Sequence, residues 1–163
     1  MKKPMTRHNR PSRGAKKKAP KKTAKARLLV VDDEVDFARM IQKSLAPAGY
    51  TGDVAAIATQ AIALQRKHSY DLALLDMRMP EMTGIELLQY LKVRDKKMFV
   101  IIMTAYGSFS LGIESLKQGA CDYLAKPFGL GLLKQKVREA LGRRGRFLEE
   151  QRVFFQKEAV DEW

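Results

Sequence analysis

The sequence predicts an α/β domain in three layers, a doubly wound parallel sheet of five strands with helices on both faces. Five short apolar runs recur between residues 28 and 124, and a run this continuously apolar suits a parallel strand buried on both sides. Between them lie segments with apolar residues three and four apart, and strands alternating with amphipathic helices build such a sandwich. Polar residues of distinct chemistry then follow the runs: Asp32 and Asp33 after LLVV, Asp76 after LALL, Thr104 after VIIM, and Lys126 just beyond CDYLA.

Leu28 to Val31 is the first strand, and Phe37, Met40, Ile41, Leu45 and Ala48 share one face of the helix after it. Tyr50 to Ala55 is the second strand. Thr59 is expected to cap a second helix carrying Ile62 and Leu64 to about Arg66. Leu72 to Leu75 forms the third strand, and the MPEMTG loop leads into a helix over Ile85 to Val93. Gly84 suits a tight entry to that helix after Pro80. A fourth strand, Phe99 to Met103, precedes Gly107 and a helix from about Phe109 to Gln118. The fifth strand is Cys121 to Leu124, and Leu130 to Leu141 supplies the fifth helix.

Charge divides the chain. Residues 1–27 hold 12 Lys or Arg and no Asp or Glu, while the remaining 136 hold 19 basic and 18 acidic side chains. Of the net charge of +13, +12 therefore belongs to the N-terminal segment and the rest of the chain is nearly neutral. With Pro4, Pro11 and Pro20 and few large apolar side chains, residues 1–26 read as a disordered basic tail. It serves as a solubilising arm or as a salt-dependent contact for nucleic acid or another anionic surface, so residues 1–27 are a candidate nucleic-acid contact. One cysteine, Cys121, excludes an internal disulfide. No apolar stretch is long enough for a signal peptide or a spanning helix, so no transmembrane segment and a cytoplasmic location are expected.

Right-handed crossovers bring the C-terminal ends of parallel strands to one edge, where open α/β sheets bind ligands. There Asp32, Asp33 and Asp76 would repel one another unless a hard, oxygen-seeking cation offsets them, and Mg2+ is the natural candidate. Asp33 and Asp76 would be direct ligands, Asp32 a direct or water-mediated one, and the Arg78 backbone carbonyl a further donor. Asp76, kept ionised, can attack phosphorus. Lys126 then pairs with one phosphoryl oxygen, and Thr104 donates a hydrogen bond to another. Taken singly, each residue has a plainer role: Asp32 and Asp33 as helix-start carboxylates, Asp76 in a loop, Thr104 in a turn, Lys126 at the surface.

The segments LLVVDDE at 28–34, DLALLDMRMPEMTGIELL at 71–88, VIIMTAYG at 100–107 and GACDYLAKPF at 119–128 resemble the receiver domain of bacterial two-component response regulators. MTAYGS and DYLAKPF look most like receivers of sigma-54-dependent activators. The resemblance covers about residues 27–141 and implies a flavodoxin-like (βα)5 fold with strand order 2-1-3-4-5. It implies phosphorylation at Asp76 by a sensor histidine kinase or phosphotransfer protein, an acidic Mg2+ pocket of Asp32 and Asp33, and metal binding by the Arg78 carbonyl. It further implies Thr104 closing on the phosphoryl group, Lys126 as its ionic partner, and Tyr123 as a switch aromatic; ordinary packing at a strand end is the alternative for Tyr123. Pro127 follows the lysine in a bond that is often cis in such domains. Signalling, and a plausible homodimer, would use the surface of the fourth helix, fifth strand and fifth helix.

Two other readings compete. A phosphatase of the haloacid-dehalogenase type needs a second aspartate two residues after the nucleophile, where this chain has Arg78. That guanidinium has no acceptor and cannot be a general base, so the protein is expected to be a phosphoacceptor rather than an enzyme. Arg78 and Tyr106, each two residues past Asp76 or Thr104, flank the expected path of a hydrolytic water. The other alternative is a degenerate receiver acting as a constitutive protein- or nucleic-acid-binding module. Residues 142–163 read as a helical extension or linker, with Leu148, Gln151, Phe155, Ala159 and Trp163 at near-helical spacing.

Overall fold

The computed structural model describes residues 24–105 and 109–161, the side chains of 157–161 excepted. The basic segment through residue 23, Tyr106, Gly107, Trp163 and the side chain of Ala159 therefore lie outside the described residues. Strands β1 (Ala26–Val31), β2 (Tyr50–Ala55), β3 (Leu72–Asp76), β4 (Phe99–Ala105) and β5 (Asp122–Lys126) alternate with helices α1 (Val35–Leu45), α2 (Ala58–Lys67), α3 (Gly84–Arg94), α4 (Phe109–Lys117) and α5 (Leu130–Asp161). All pairings are parallel and the order is β2-β1-β3-β4-β5, as the resemblance implied.

Side chains alternate across a strand, so each sheet face has its own core. Leu29, Val31, Ala73, Leu75, Val100 and Ile102 pack with Ala58 and Ala61 of α2 and Leu87, Leu88 and Leu91 of α3. On the other face Leu28, Val30, Leu72, Leu74, Ile101 and Met103 meet Ala38, Ile41 and Leu45 of α1 and Leu133, Val137 and Ala140 of α5. Each fully buried leucine is worth about 2 kcal/mol, which is why β3, buried at every position, serves as the spine.

Several element expectations are corrected. Thr59 does not cap α2 but lies within its first turn, and Ile57 holds the cap position without a side-chain hydrogen bond. Glu81 supplies the cap from another loop, accepting from the Thr59 backbone N–H at 2.9 Å and from its hydroxyl at 3.0 Å. In α1 the buried face is Ala38, Ile41 and Leu45, Met40 is exposed, and Ala48 ends a 3-10 turn. Strands β4 and β5 run further than their apolar cores, so Thr104 and Lys126 are strand residues. Ladder hydrogen bonds, not hydropathy, set where a strand ends.

The fifth helix does not stop near Leu141 but continues to Asp161. Arg144 fastens it beyond that point, pairing with Asp71 at 2.9 Å and donating to the Lys97 carbonyl at 2.8 Å. Phe147 packs on Phe99 with ring centroids 6.1 Å apart. Further along, Val153, Phe154 and Phe155 are exposed.

Candidate functional site

Four of the five strands deliver a side chain to one edge because they run the same way. Asp32 follows β1 and is fully buried; its Oδ1 accepts from the Glu34 backbone N–H at 3.0 Å. Asp76 ends β3 and is nearly buried, while Asp33 is exposed. One oxygen from each of the three carboxylates lies within 4.8 Å of the other two. Lys126, the last residue of β5, bridges two of them, its Nζ 2.6 Å from Asp32 and 3.1 Å from Asp76. The same ammonium lies 4.7 Å from the ring centroid of Phe37 on α1.

Three carboxylates and one ammonium leave the pocket with excess negative charge, and the titration of its members follows. Burial, and then the Asp32 charge, push the Asp76 carboxyl above the usual carboxylate range, and Lys126 offsets them only in part. Burial works against the Lys126 charge, but its two carboxylate partners outweigh that and hold its pKa above the ordinary lysine value. An electron-rich cluster of hard oxygen donors fits a divalent cation.

Thr104 is 1% exposed, and its hydroxyl finds no hydrogen-bond partner among the described residues. A buried polar atom normally has one, so this hydroxyl is an exception among the described residues. In register Thr104 stands beside Ala125 and Ile102 beside Tyr123, which puts Thr104 and Tyr123 on one sheet face and Lys126 on the other. Tyr123 is half-buried, its ring against Gly112 of α4 and edge-on to Phe109 at 6.3 Å. The Arg78 side chain is exposed. Thus Asp32, Asp33, Asp76 and Lys126 form one cluster, Thr104 stands on the adjoining strand, and Tyr123 lies on the sheet face opposite Lys126. The Lys126–Pro127 peptide bond is cis.

The loop that carries Arg78 is held at two points ahead of α3. Glu81 ties it to α2, and Thr83 forms a reciprocal capping box with Glu86 at the start of α3. Gly84 packs so close that a Cβ there would stand 2.4 Å from the Asp76 carbonyl oxygen, so a side chain at 84 would displace the strand end bearing Asp76. Sequence reading missed these supports, although the T-x-x-E spacing of Thr83 and Glu86 was a usable signal. The contacts of Glu81 with Thr59 and of Phe37 with Lys126 had no signal in spacing.

Comparison with known proteins agrees with this geometry. Residues 28–138 match the model of the family described as the response regulator receiver domain. The transcriptional regulatory protein ZraR of Klebsiella oxytoca is 41% identical over 114 residues, which cover 70% of this chain and 26% of that protein. The sporulation initiation phosphotransferase F of Bacillus subtilis is 38% identical over 115 residues, covering 71% of this chain and 93% of that one. Among solved structures, a response regulator receiver domain protein from Clostridium thermocellum superposes with a TM-score of 0.69 at 30% identity, over 75% of this chain and 98% of that one. The chain spans about a quarter of the length of the first-ranking curated relatives, 26% of ZraR and 28% of the PilR protein of Pseudomonas aeruginosa. Likeness to ZraR, PilR and AtoC bears out the resemblance to receivers of sigma-54-dependent activators. With a 2-1-3-4-5 sheet, an acidic cluster at its C-terminal edge and a family match that takes in all five strands from residue 28 on, the chain belongs to the response-regulator receiver domains, signalling modules that accept a phosphoryl group rather than conventional enzymes.

Proposed function

We propose that Asp76 is the phosphoacceptor and that a sensor histidine kinase or phosphotransfer protein is the donor. An Asp76 carboxylate oxygen attacks phosphorus, the P–N bond to the donor's histidine breaks, and its electron pair leaves with the imidazole nitrogen, giving an acyl phosphate on Asp76. The observation that carries this reading is the carboxylate trio within 4.8 Å, bridged from one side by Lys126. Asp32, Asp33, Asp76 and the Arg78 carbonyl would hold Mg2+, which offsets charge on the transferring group. Lys126 would exchange its Asp76 contact for a phosphoryl oxygen, and the Thr104 hydroxyl, which has no partner among the described residues, would donate to another.

Thr104 moving toward that oxygen would vacate volume on the sheet face it shares with Tyr123, whose ring would follow inward. The outlet is the α4-β5-α5 surface, where exposed Phe109, Ile113, Leu116 and Leu132 suit a partner or a second copy. Residues 26–141 would act as the receiver, since β1 already begins at Ala26, the basic residues ahead of that strand as a contact for an anionic surface, and 142–163 as an extension toward a partner. We place the protein in the cytoplasm, in keeping with the absence among the described residues of any helix long and apolar enough to cross a membrane.

Incubation with Mg2+ and acetyl phosphate, read by intact mass beside Asp76→Ala, tests the reading. Gain of one phosphoryl group that needs Mg2+ and disappears in the variant is expected. A well-folded protein that takes none would favour the second reading, a module acting through constitutive contacts, for which the 12 basic residues of 1–27 supply a nucleic-acid contact.

A further inference from the structure

We infer that Phe37 is a positioning residue for phosphoacceptance, holding the Lys126 ammonium at the mouth of the acidic pocket through the face of its ring. The inference rests on the proposed role of Lys126 and adds a residue that the acidic cluster does not include.

Lys126 must do two things that conflict. It now bridges Asp32 and Asp76, and it has to release one of them to a phosphoryl oxygen without swinging out on its four-carbon stem into water. An anionic third partner would compete with the phosphoryl group for the ammonium, and an aliphatic one would give no attraction. An aromatic face attracts the cation without occupying an N–H donor, and Nζ lies 4.7 Å from the Phe37 centroid, inside the range of a cation–π contact. The ring is itself braced. Phe128 packs against it with centroids 5.7 Å apart, and Phe37, Phe128, Pro127 and the Lys126 stem line one open cavity of about 310 Å3. Phe37 and Phe128 also seat against the core between the sheet, α1 and α5, which ties the ring's position to the fold. The Lys126 side chain is 20% exposed, so the contact is partly desolvated and sits in the middle of the range for such pairs.

The test compares Phe37→Leu, which keeps apolar bulk, with Phe37→Tyr, which keeps the ring. Phosphorylation by acetyl phosphate with Mg2+ should slow about three- to tenfold in Phe37→Leu and stay within about twofold of the parent in Phe37→Tyr. Urea unfolding of the metal-free protein then separates positioning from plain packing. Phe37→Leu should shift the unfolding equilibrium constant about fivefold less in a Lys126→Gln background than in the parent, because the ring's cation is gone. An unslowed Phe37→Leu, an equally slowed Phe37→Tyr, or the same unfolding shift in both backgrounds would overturn the inference. If the parent protein accepts a phosphoryl group while any of these holds, only the role of Phe37 fails. A parent that accepts none sinks the phosphoacceptor reading, and this inference with it.

Discussion

Gly112 offers a sharp test of how α4 rests on Tyr123. A Cβ at that position would stand 2.8 Å from both Cδ2 and Cε2 of the Tyr123 ring and 3.0 Å from Cγ. Carbon atoms pack best at about 3.5–4.0 Å, so Gly112→Ala forces the ring or the helix to move by roughly 0.7 Å or more. Overpacking of this kind costs about 1–3 kcal/mol. Against it stands the helix preference of alanine over glycine, about 1 kcal/mol. The net expectation is destabilisation by about 1 kcal/mol in urea unfolding. Removing the ring reverses the sign: in a Tyr123→Ala background only the helix preference remains, and Gly112→Ala should stabilise by up to about 1 kcal/mol. A Gly112→Ala protein more stable than its parent, or the same penalty in both backgrounds, would refute the claim that the Tyr123 ring rests on this glycine.

Asp76 and Asp53 make opposite pH predictions. The folded-state pKa of Asp76 is raised, so its ionisation costs the metal-free fold stability as pH climbs from about 4 through that raised value. Asp76→Asn should therefore raise the metal-free midpoint temperature at pH 7, and its advantage should vanish near pH 4; an unchanged midpoint at pH 7 would contradict the charge excess. Burial alone would raise the Asp53 carboxyl, but the Tyr70 hydroxyl at 2.7 Å and Arg27 at 2.8 Å bring it below the usual range. Its contribution is therefore present above about pH 4 and lost as pH falls through the depressed value. Tyr70→Phe removes a buried hydroxyl's bond to a charged acceptor and should cost about 1.5–3 kcal/mol at pH 7 by urea unfolding, with a smaller cost at pH 3.

Much of the site was legible because its residues adjoin runs that could only be buried strands. Asp32 and Asp76 directly follow LLVV and LALL, so the strand assignment alone places them at the edge. Thr104 and Lys126 were placed just beyond strands that in fact contain them, because the run of apolar residue types ends at Met103 and Leu124 while ladder bonding, and for Thr104 burial too, continues. Thr59 was misread for a related reason. A hydroxyl near a helix start is the ordinary cap signal, and nothing nearby in sequence reveals that Glu81, 22 residues away, fills that role.

The sequence by itself determined the parallel sheet, the chemistry of the acidic cluster and the separation of positive charge into residues 1–27, because hydrophobic period, residue type and composition are local properties. Tertiary structure decided what spans the chain. It set Lys126 against Asp32 94 positions away, laid Phe37 beneath the same ammonium, left the Thr104 hydroxyl without a partner among the described residues, and carried α5 past Leu141 through Arg144 on Asp71. Each of these depends on side chains meeting across crossovers, where sequence spacing holds no record of distance and only the packing of the two cores fixes which groups touch.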